Sequence, residues 1–363
     1  MGFRDHLEAI MTEDRAGWCS GSRPAVLSRD CETRLVGPSG DIASLVVAGA
    51  AAPANARGYR ELLCVAEQYA PGRRAWAIEG TGSYGAGLGR SLHARGESVL
   101  EVSRRPRGER RLCGKDDQLD AARTAQAALA GDRLALPRTG ERREALRLLL
   151  VARRSAVDVR REALTQLRAV IVTAPDQLRQ QLRALPEGKL LDRCCRFRRS
   201  SPAGADELAT RIVLRSLARR VRTATVEDDE LERELLGHVR ALAPHLLAEP
   251  GVGPIVAAHL IVAWSHRGRL RSEAAFARLA GVAPVPASSG QTTRHRLSRG
   301  GDRQLNRALH TIVLHRRHHY PATKDYIARR ISEGKSTREA VRLLKRYLAR
   351  HLFRLLQQEP LMA

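Results

Sequence analysis

The sequence predicts an α/β domain followed by a long-helix middle and a mostly α C-terminal domain with a helix-hairpin-helix. Three observations predict this order. Short apolar runs bounded by Gly and Pro alternate with helical spacing over residues 42–102. Apolar residues then recur at helical intervals over 140–183, with Arg filling much of the rest. From Glu249 onward the pattern is helical with short Gly-containing loops. The divisions that follow are 1–38, 39–138, 139–245 and 246–363.

Residues 1–40 carry mixed charge, scattered Gly and Pro and little periodicity, so they read as irregular. Residues 42–48 form an apolar run between Gly40 and an Ala/Pro stretch, which is a strand pattern. Residues 59–69 have helical spacing, and 75–78 form a second short strand. That strand ends at Glu79 and the turn Gly80-Thr81-Gly82-Ser83-Tyr84-Gly85. A helix over 88–95 and a strand over 98–102 complete a strand–helix–strand–helix–strand order, the signature of an α/β domain. Ala145, Leu146, Leu149, Leu150, Ala156, Leu164, Leu167 and Val170 then mark one long amphipathic helix over 140–183, an arm suited to a coiled coil. After a Pro/Gly/Ser break at 200–204, two further helices are expected over 206–222 and 228–242.

Charge narrows the function. Lys and Arg number 63 against 39 Asp and Glu, a net charge of +24, so the chain attracts polyanions, of which nucleic acid is the commonest. Most of the basic residues are Arg, whose planar fork grips phosphate through two parallel hydrogen bonds. Cys19, Cys31, Cys64, Cys113, Cys194 and Cys195 include no Cys-x-x-Cys pair, which argues against a zinc ribbon and for free thiols in a reducing cytoplasm. No stretch approaches 18 apolar residues, so no membrane span is expected. The expected location is the cytoplasm, at the nucleoid.

Two constellations carry chemistry. Glu79 stands where a strand meets a Gly turn. Downstream, Gly114-Lys115-Asp116-Asp117-Gln118-Leu119-Asp120 sets Asp117 and Asp120 three apart at a helix start, where they share one face. Carboxylates from separate elements can hold Mg²⁺ for phosphodiester chemistry, although Asp near a helix N-terminus is also favourable as a cap. Lys115, just ahead of the pair, is assigned to nucleic-acid binding. In the C-terminal part, Pro250-Gly251-Val252-Gly253-Pro254 opens a helix. Gly251 and Gly253 there would let backbone N–H groups meet phosphate without reading bases. Farther on, Ala287-Ser288-Ser289-Gly290 precedes Arg294, Arg296, Arg299, Arg303 and Asn306. This fits a nucleophile beside a phosphate clamp, or a plain turn.

Four motifs in this order resemble the IS110 family of insertion-sequence transposases over roughly residues 40–355. They are Ala-Ile-Glu79-Gly-Thr-Gly-Ser-Tyr-Gly, Gly-Lys-Asp-Asp117-Gln-Leu-Asp120-Ala, Pro-Gly-Val-Gly-Pro, and Ala-Gly-Val-Ala-Pro-x-x-x-Ser-Ser289-Gly with its following Arg-Leu-Ser-Arg-Gly-Gly-Asp-Arg-x-Leu-Asn. The resemblance implies a RuvC-like (RNase H-type) first domain, a coiled-coil-bearing middle and a C-terminal transposase domain. It implies an Asp-Glu-Asp-Asp metal set, with Glu79, Asp117 and Asp120 on its last three positions. It implies Ser289 as a catalytic serine linked covalently to DNA in a site composed across subunits, with a guide (bridge) RNA pairing to donor and target. The partners implied are DNA, that RNA and further copies of the chain, as a dimer or tetramer. One departure stands out: no apolar-Gly-apolar-Asp strand precedes Gly40, and Asp30 is the nearest candidate for the first ligand. Three readings stay open: a serine recombinase, a RuvC-like nuclease that cuts with metal-activated water, and a non-catalytic nucleic-acid-binding relic.

Overall fold

The computed structural model describes residues 8–9, 24–28, 52–72, 74–102, 124–125, 127–128, 134–198, 204–287, 295–296, 298 and 300–358. Two compact units emerge, Met1–Arg138 with Gly268–Leu270, and Thr139–Arg267 with Arg271–Ala363. The described residues are mostly helical, with a small mixed sheet in the first unit.

The sheet runs β1 (Glu8–Ala9), β2 (Pro24–Ser28), β3 (Arg74–Glu79), β4 (Ser98–Val102) and β5 (Leu134–Ala135), neighbours in that order. Only β3 and β4 are parallel, joined through α2 (Ala86–His93), and the other pairs are antiparallel. The strand expected over 42–48 lies outside the described residues. The expectation of an irregular 1–40 is corrected, because Pro24-Ala-Val-Leu-Ser28 lies beside β3 in full register, Pro24 opposite Ile78 and Ser28 opposite Arg74. Its Ala-Val-Leu centre is a minimal apolar run, and Pro at the first position of a strand costs little.

α1 (Ala56–Tyr69) begins where the Asn55 side chain accepts hydrogen bonds from the Arg57 and Gly58 amides, a standard N-cap. Trp76, Ile78 and Val99 bury one sheet face against Ala66, Ala70, Leu88 and Leu92. The start of β3 is locked by ions. Arg74, 8% exposed at its side chain, bonds Glu97 and Glu67, and the Trp76 indole N–H donates to Glu97 at 2.8 Å. Burial works against the Glu97 charge, but the Arg74 and Trp76 bonds hold its carboxyl below the usual range.

In the second unit, α3 (Glu141–Thr173) and α6 (Ala205–Leu242) form an antiparallel pair. Arg153 bonds Asp228 at 2.8 Å near one end, and Leu167 and Ile171 pack with Leu214 and Leu217 toward the other. α4 (Asp176–Arg183) and α5 (Glu187–Cys195) fold back onto this pair. Two expectations change here. The helix over 140–183 is broken, because Pro175 lacks an N–H and starts a new helix. The two helices expected over 206–222 and 228–242 are one, since Thr223-Ala224-Thr225-Val226-Glu227 holds no Gly or Pro. Ala224 is buried there, and the Thr225 hydroxyl donates back to the Val221 carbonyl. Cys194 is buried on α5, and burial pushes its thiol up to about 11.

α7 (Pro254–Trp264) is apolar all round apart from His259 and is packed by α3, α6 and the helices α9 (Arg303–His319) and α11 (Thr337–Gln358). α8 (Glu273–Leu279) and α10 (Pro321–Ser332) complete the C-terminal layer. No helix among the described residues is long and apolar enough to cross a membrane.

Candidate functional site

Glu79 is the last residue of β3 and half-buried. Gly80 follows at φ 74, and its carbonyl accepts from the Ser83 and Gly85 amides, closing a turn that Gly alone enters without strain. Alternation along the strand sets Glu79 on the face of Ala77, opposite Val102 in register. Ala125 and Ala128 pack on that same face with Ala77 and Val102. The helical residues 124–125 and 127–128 therefore cover the Glu79 side of the sheet, starting four positions after Asp120. Asp117, Asp120, Lys115 and Asp30 lie outside the described residues. No group of three or more His, Cys, Asp or Glu among the described residues is placed to hold a metal.

Two cations near this turn were not legible in the sequence. Arg138 lies 3.6 Å from Glu101 of β4, and its guanidinium stands 3.5 Å from where a Cβ on Gly82 would be. Arg269, which belongs to the same unit, is buried. Burial and the nearby Arg138 both push its guanidinium pKa down, while Glu101 pulls the other way. A chain segment so distant in sequence gives no local pattern by which to find it.

The second constellation is organised around a loop neck. Gly281 (φ 65) and Gly301 (φ 97) meet back to back. A methyl on Gly281 would stand 2.6 Å from the Gly300 carbonyl oxygen, and one on Gly301 would fall onto the Leu279 carbonyl oxygen. The Asp302 amide donates to that same Leu279 oxygen at 2.6 Å. The Asp302 side chain caps α9 by accepting from the Gln304 and Leu305 amides. Asn306 then reaches back, its Nδ2 donating to the Ala280 carbonyl at 2.7 Å while its Oδ1 accepts from Lys345 Nζ at 2.9 Å. Inside the neck, β6 (Val285–Pro286) and β7 (His295–Arg296) pair antiparallel, so residues 287–294 connect the two arms of a hairpin. Ser289 and Arg294 fall in that connection, and with Arg299 they lie outside the described residues. Arg296 and Arg303 are exposed. Asn306 differs from the sequence expectation in its bonding, since both ends of its amide are engaged inside the protein. Lys345 was missed. Its signal is a lone Lys in the buried stripe Ala340, Leu348, Ala349, Leu352 and Phe353 of α11.

The Gly251-x-Gly253 turn is held from behind. Gly251 (φ 83) packs against His315, Arg316 Nε donates to the Pro250 carbonyl at 2.8 Å, and Glu249 takes both Arg316 at 2.8 Å and His351 at 2.9 Å. Gly253 is exposed, with open space where a side chain would be, at the N-terminus of α7. Pro254, the first residue of α7, has no N–H, so the donors this end could offer an anion are the Gly253 N–H and the helix amides after Pro254.

Both regions match known proteins. A DEDD-type IS110 transposase model matches residues 43–174, and a model described as transposase of the IS116/IS110/IS902 family matches residues 243–328. The Glu79 strand end falls within the first match and the loop neck within the second. The chain belongs to the IS110 family. It is also 32% identical over 149 residues to an uncharacterized 43.6 kDa protein of insertion element IS110 from Streptomyces coelicolor. That match covers 40% of this chain and 37% of the relative, so little more than a third of the relative's length is spanned.

Proposed function

We propose that the chain is a DNA recombinase of an insertion element that breaks and rejoins strands through Ser289. The observation that carries this is the neck: Gly281, Gly301, Asp302 and Asn306 close the base of a hairpin whose connection, 287–294, contains Ser289. A rigid base beneath a short connection is what a nucleophile on a loop requires. In the reaction, the Ser289 Oγ–P bond forms as the P–O bond to the departing sugar oxygen breaks. The serine proton leaves to a base, and the sugar oxygen takes up a proton as a hydroxyl. A sugar hydroxyl from the partner strand then attacks the phosphoserine, forming the new P–O bond and restoring the serine.

On this reading the first unit is RuvC-like. Glu79, Asp117 and Asp120 would hold a divalent cation, Mg²⁺, which supplies charge stabilisation on the phosphate. The packing of Ala125, Ala127 and Ala128 on the Glu79 face supports bringing the Asp-x-x-Asp segment toward Glu79. Arg138 and Arg269 bring positive charge to the same unit. Lys115, Gly251, Gly253, Arg294, Arg296, Arg299 and Arg303 serve the nucleic-acid backbone, and Asn306 supports them from beneath. The division at 39–138, 139–245 and 246–363 follows these roles. An element-encoded guide RNA would choose the sequence, and two or four copies would complete the site.

A second reading has one specific observation behind it. β2, the strand beside β3, reads Pro-Ala-Val-Leu-Ser and carries no carboxylate. With the first metal ligand missing, the chain would bind nucleic acid without cutting it. Incubation with Mg²⁺, element-end DNA, target DNA and the element's flanking RNA separates these readings. The recombinase yields joined products, lost in Ser289→Ala and in Glu79→Gln. Hydrolysed ends that survive Ser289→Ala indicate a nuclease, and salt-sensitive binding with intact strands indicates the relic.

A further inference from the structure

Many arginines on the helices of the second unit are matched by acids, most fully on α3, although Arg219 and Arg220 of α6 are exposed and form no ion pair among the described residues. Arg154 and Arg161 bond Asp158, Arg168 bonds Glu187, Arg179 bonds Asp176 and Arg211 bonds Glu207. α9 is different. Its sequence, Arg-Gln-Leu-Asn-Arg-Ala-Leu-His-Thr-Ile-Val-Leu-His-Arg-Arg-His-His, has no acid. Its inner face is Leu305, Ala308, Leu309, Ile312 and Val313, all buried. Its outer face holds Arg303, Arg307, His310, Leu314, Arg317 and His318, all exposed. Arg303, Arg307 and Arg317 form no hydrogen bond or ion pair among the described residues. The acid whose charge Arg307 feels, Asp158, is already bonded to Arg154.

We infer that α9 is a groove-docking helix, which lays this outer face into the major groove of duplex DNA. This rests on the proposal above that the chain acts on DNA. An exposed helix face with unmatched cations gains most from a polyanion. Arg303 and Arg317 are separated by roughly 21 Å of helix rise, at about 1.5 Å per residue, so their guanidinium groups can reach phosphates flanking one groove. The major groove of B-DNA, about 12 Å wide, admits an α-helix, whereas the deep, narrow major groove of A-form RNA does not. The Asp302 cap places the N-terminus of α9 at the loop neck, so a duplex on this face passes beside the hairpin that contains Ser289.

The test compares the full-length protein with a triple variant, Arg303→Ala/Arg307→Ala/Arg317→Ala, and a control, Arg168→Ala/Arg179→Ala/Arg211→Ala, which removes three acid-matched arginines. Binding to a labelled DNA duplex and to a hairpin RNA is measured over a range of salt. The logarithm of affinity for duplex should fall less steeply with the logarithm of salt in the triple variant, by about 2–3 in slope, with weakening of at least about tenfold near 0.15 M. The control should keep the wild-type slope. An unchanged duplex slope in the triple variant, an equal change in the control, or a loss confined to the hairpin RNA would overturn the inference and leave the recombinase reading standing. Absence of duplex binding by the wild type would instead remove the reading on which the inference rests.

Discussion

Lys345 Nζ donates to Asn306 Oδ1 at 2.9 Å, across 39 positions of sequence, and Asn306 passes the restraint to the Ala280 carbonyl at the neck of the hairpin. Lys345 is 8% exposed. Burial, and then Arg342, push its pKa down, so the Asn306 oxygen is a needed partner for the ammonium. Asn306→Leu strands that cation and should cost about 2–3 kcal/mol. Lys345→Met with Asn306→Leu should cost clearly less than the two single changes added together, which thermal unfolding of the four proteins of the cycle measures. Additive losses would mean that the contact is energetically idle.

The neck glycines make a sharper claim. Gly301→Ala forces a methyl onto the Leu279 carbonyl oxygen at a φ of 97, and should destabilise the protein by about 1–3 kcal/mol or more. Gly253→Ala, with open space around it, should change the melting temperature little. A Gly301→Ala protein that melts like wild type would show that the two loop ends are not clasped.

Acid sensitivity should trace to Glu249. Burial disfavours its charge, but hydrogen bonds from His351 and Arg316 outweigh that and hold its carboxyl below the usual carboxylate range. A depressed carboxylate stabilises the fold above its unfolded pKa, and that contribution is lost as pH falls through the folded one. Unfolding midpoints should therefore drop below about pH 4.5 in the wild type. Glu249→Gln should be less stable at neutral pH and lose less on acidification through that window. Parallel pH profiles for the two proteins would contradict the assignment.

How much of this was legible follows from how local each feature is. β3, α2 and β4 were readable because each apolar run ends at Gly or at charge, so their bounds are written in the chain itself. β2 was not, since five residues headed by Pro24 become a strand only through pairing with β3. The helix α6 was split wrongly because Thr and Val lower local propensity, whereas Ala224 buried against the helix pair decides the outcome. At the candidate site, the sequence located Glu79 at a strand end and a Gly turn near residue 300. It could not bring Gly281 to Gly301, or Lys345 to Asn306, because those contacts join segments with no shared period.

Thiol chemistry offers an independent check on the helical pair. Cys194 is wholly buried, with its thiol pushed up to about 11, while Cys64 is exposed on α1. Alkylation at about pH 8 should modify Cys64 quickly and Cys194 only upon unfolding, since the thiolate is the reactive form. Mass spectrometry resolved by site reads this directly. Rapid modification of Cys194 in the native protein would mean that α5 does not stay docked on α3 and α6.

The proposed attack of Ser289 on DNA would leave a covalent intermediate that can be trapped on a denaturing gel, using labelled element-end DNA, Mg²⁺, the flanking RNA and the full-length protein beside Ser289→Ala. A labelled protein–DNA adduct is expected in the wild type, lost in Ser289→Ala and markedly weakened in Glu79→Gln. Strand cleavage without an adduct, or an adduct that persists in Ser289→Ala, would contradict the proposed attack.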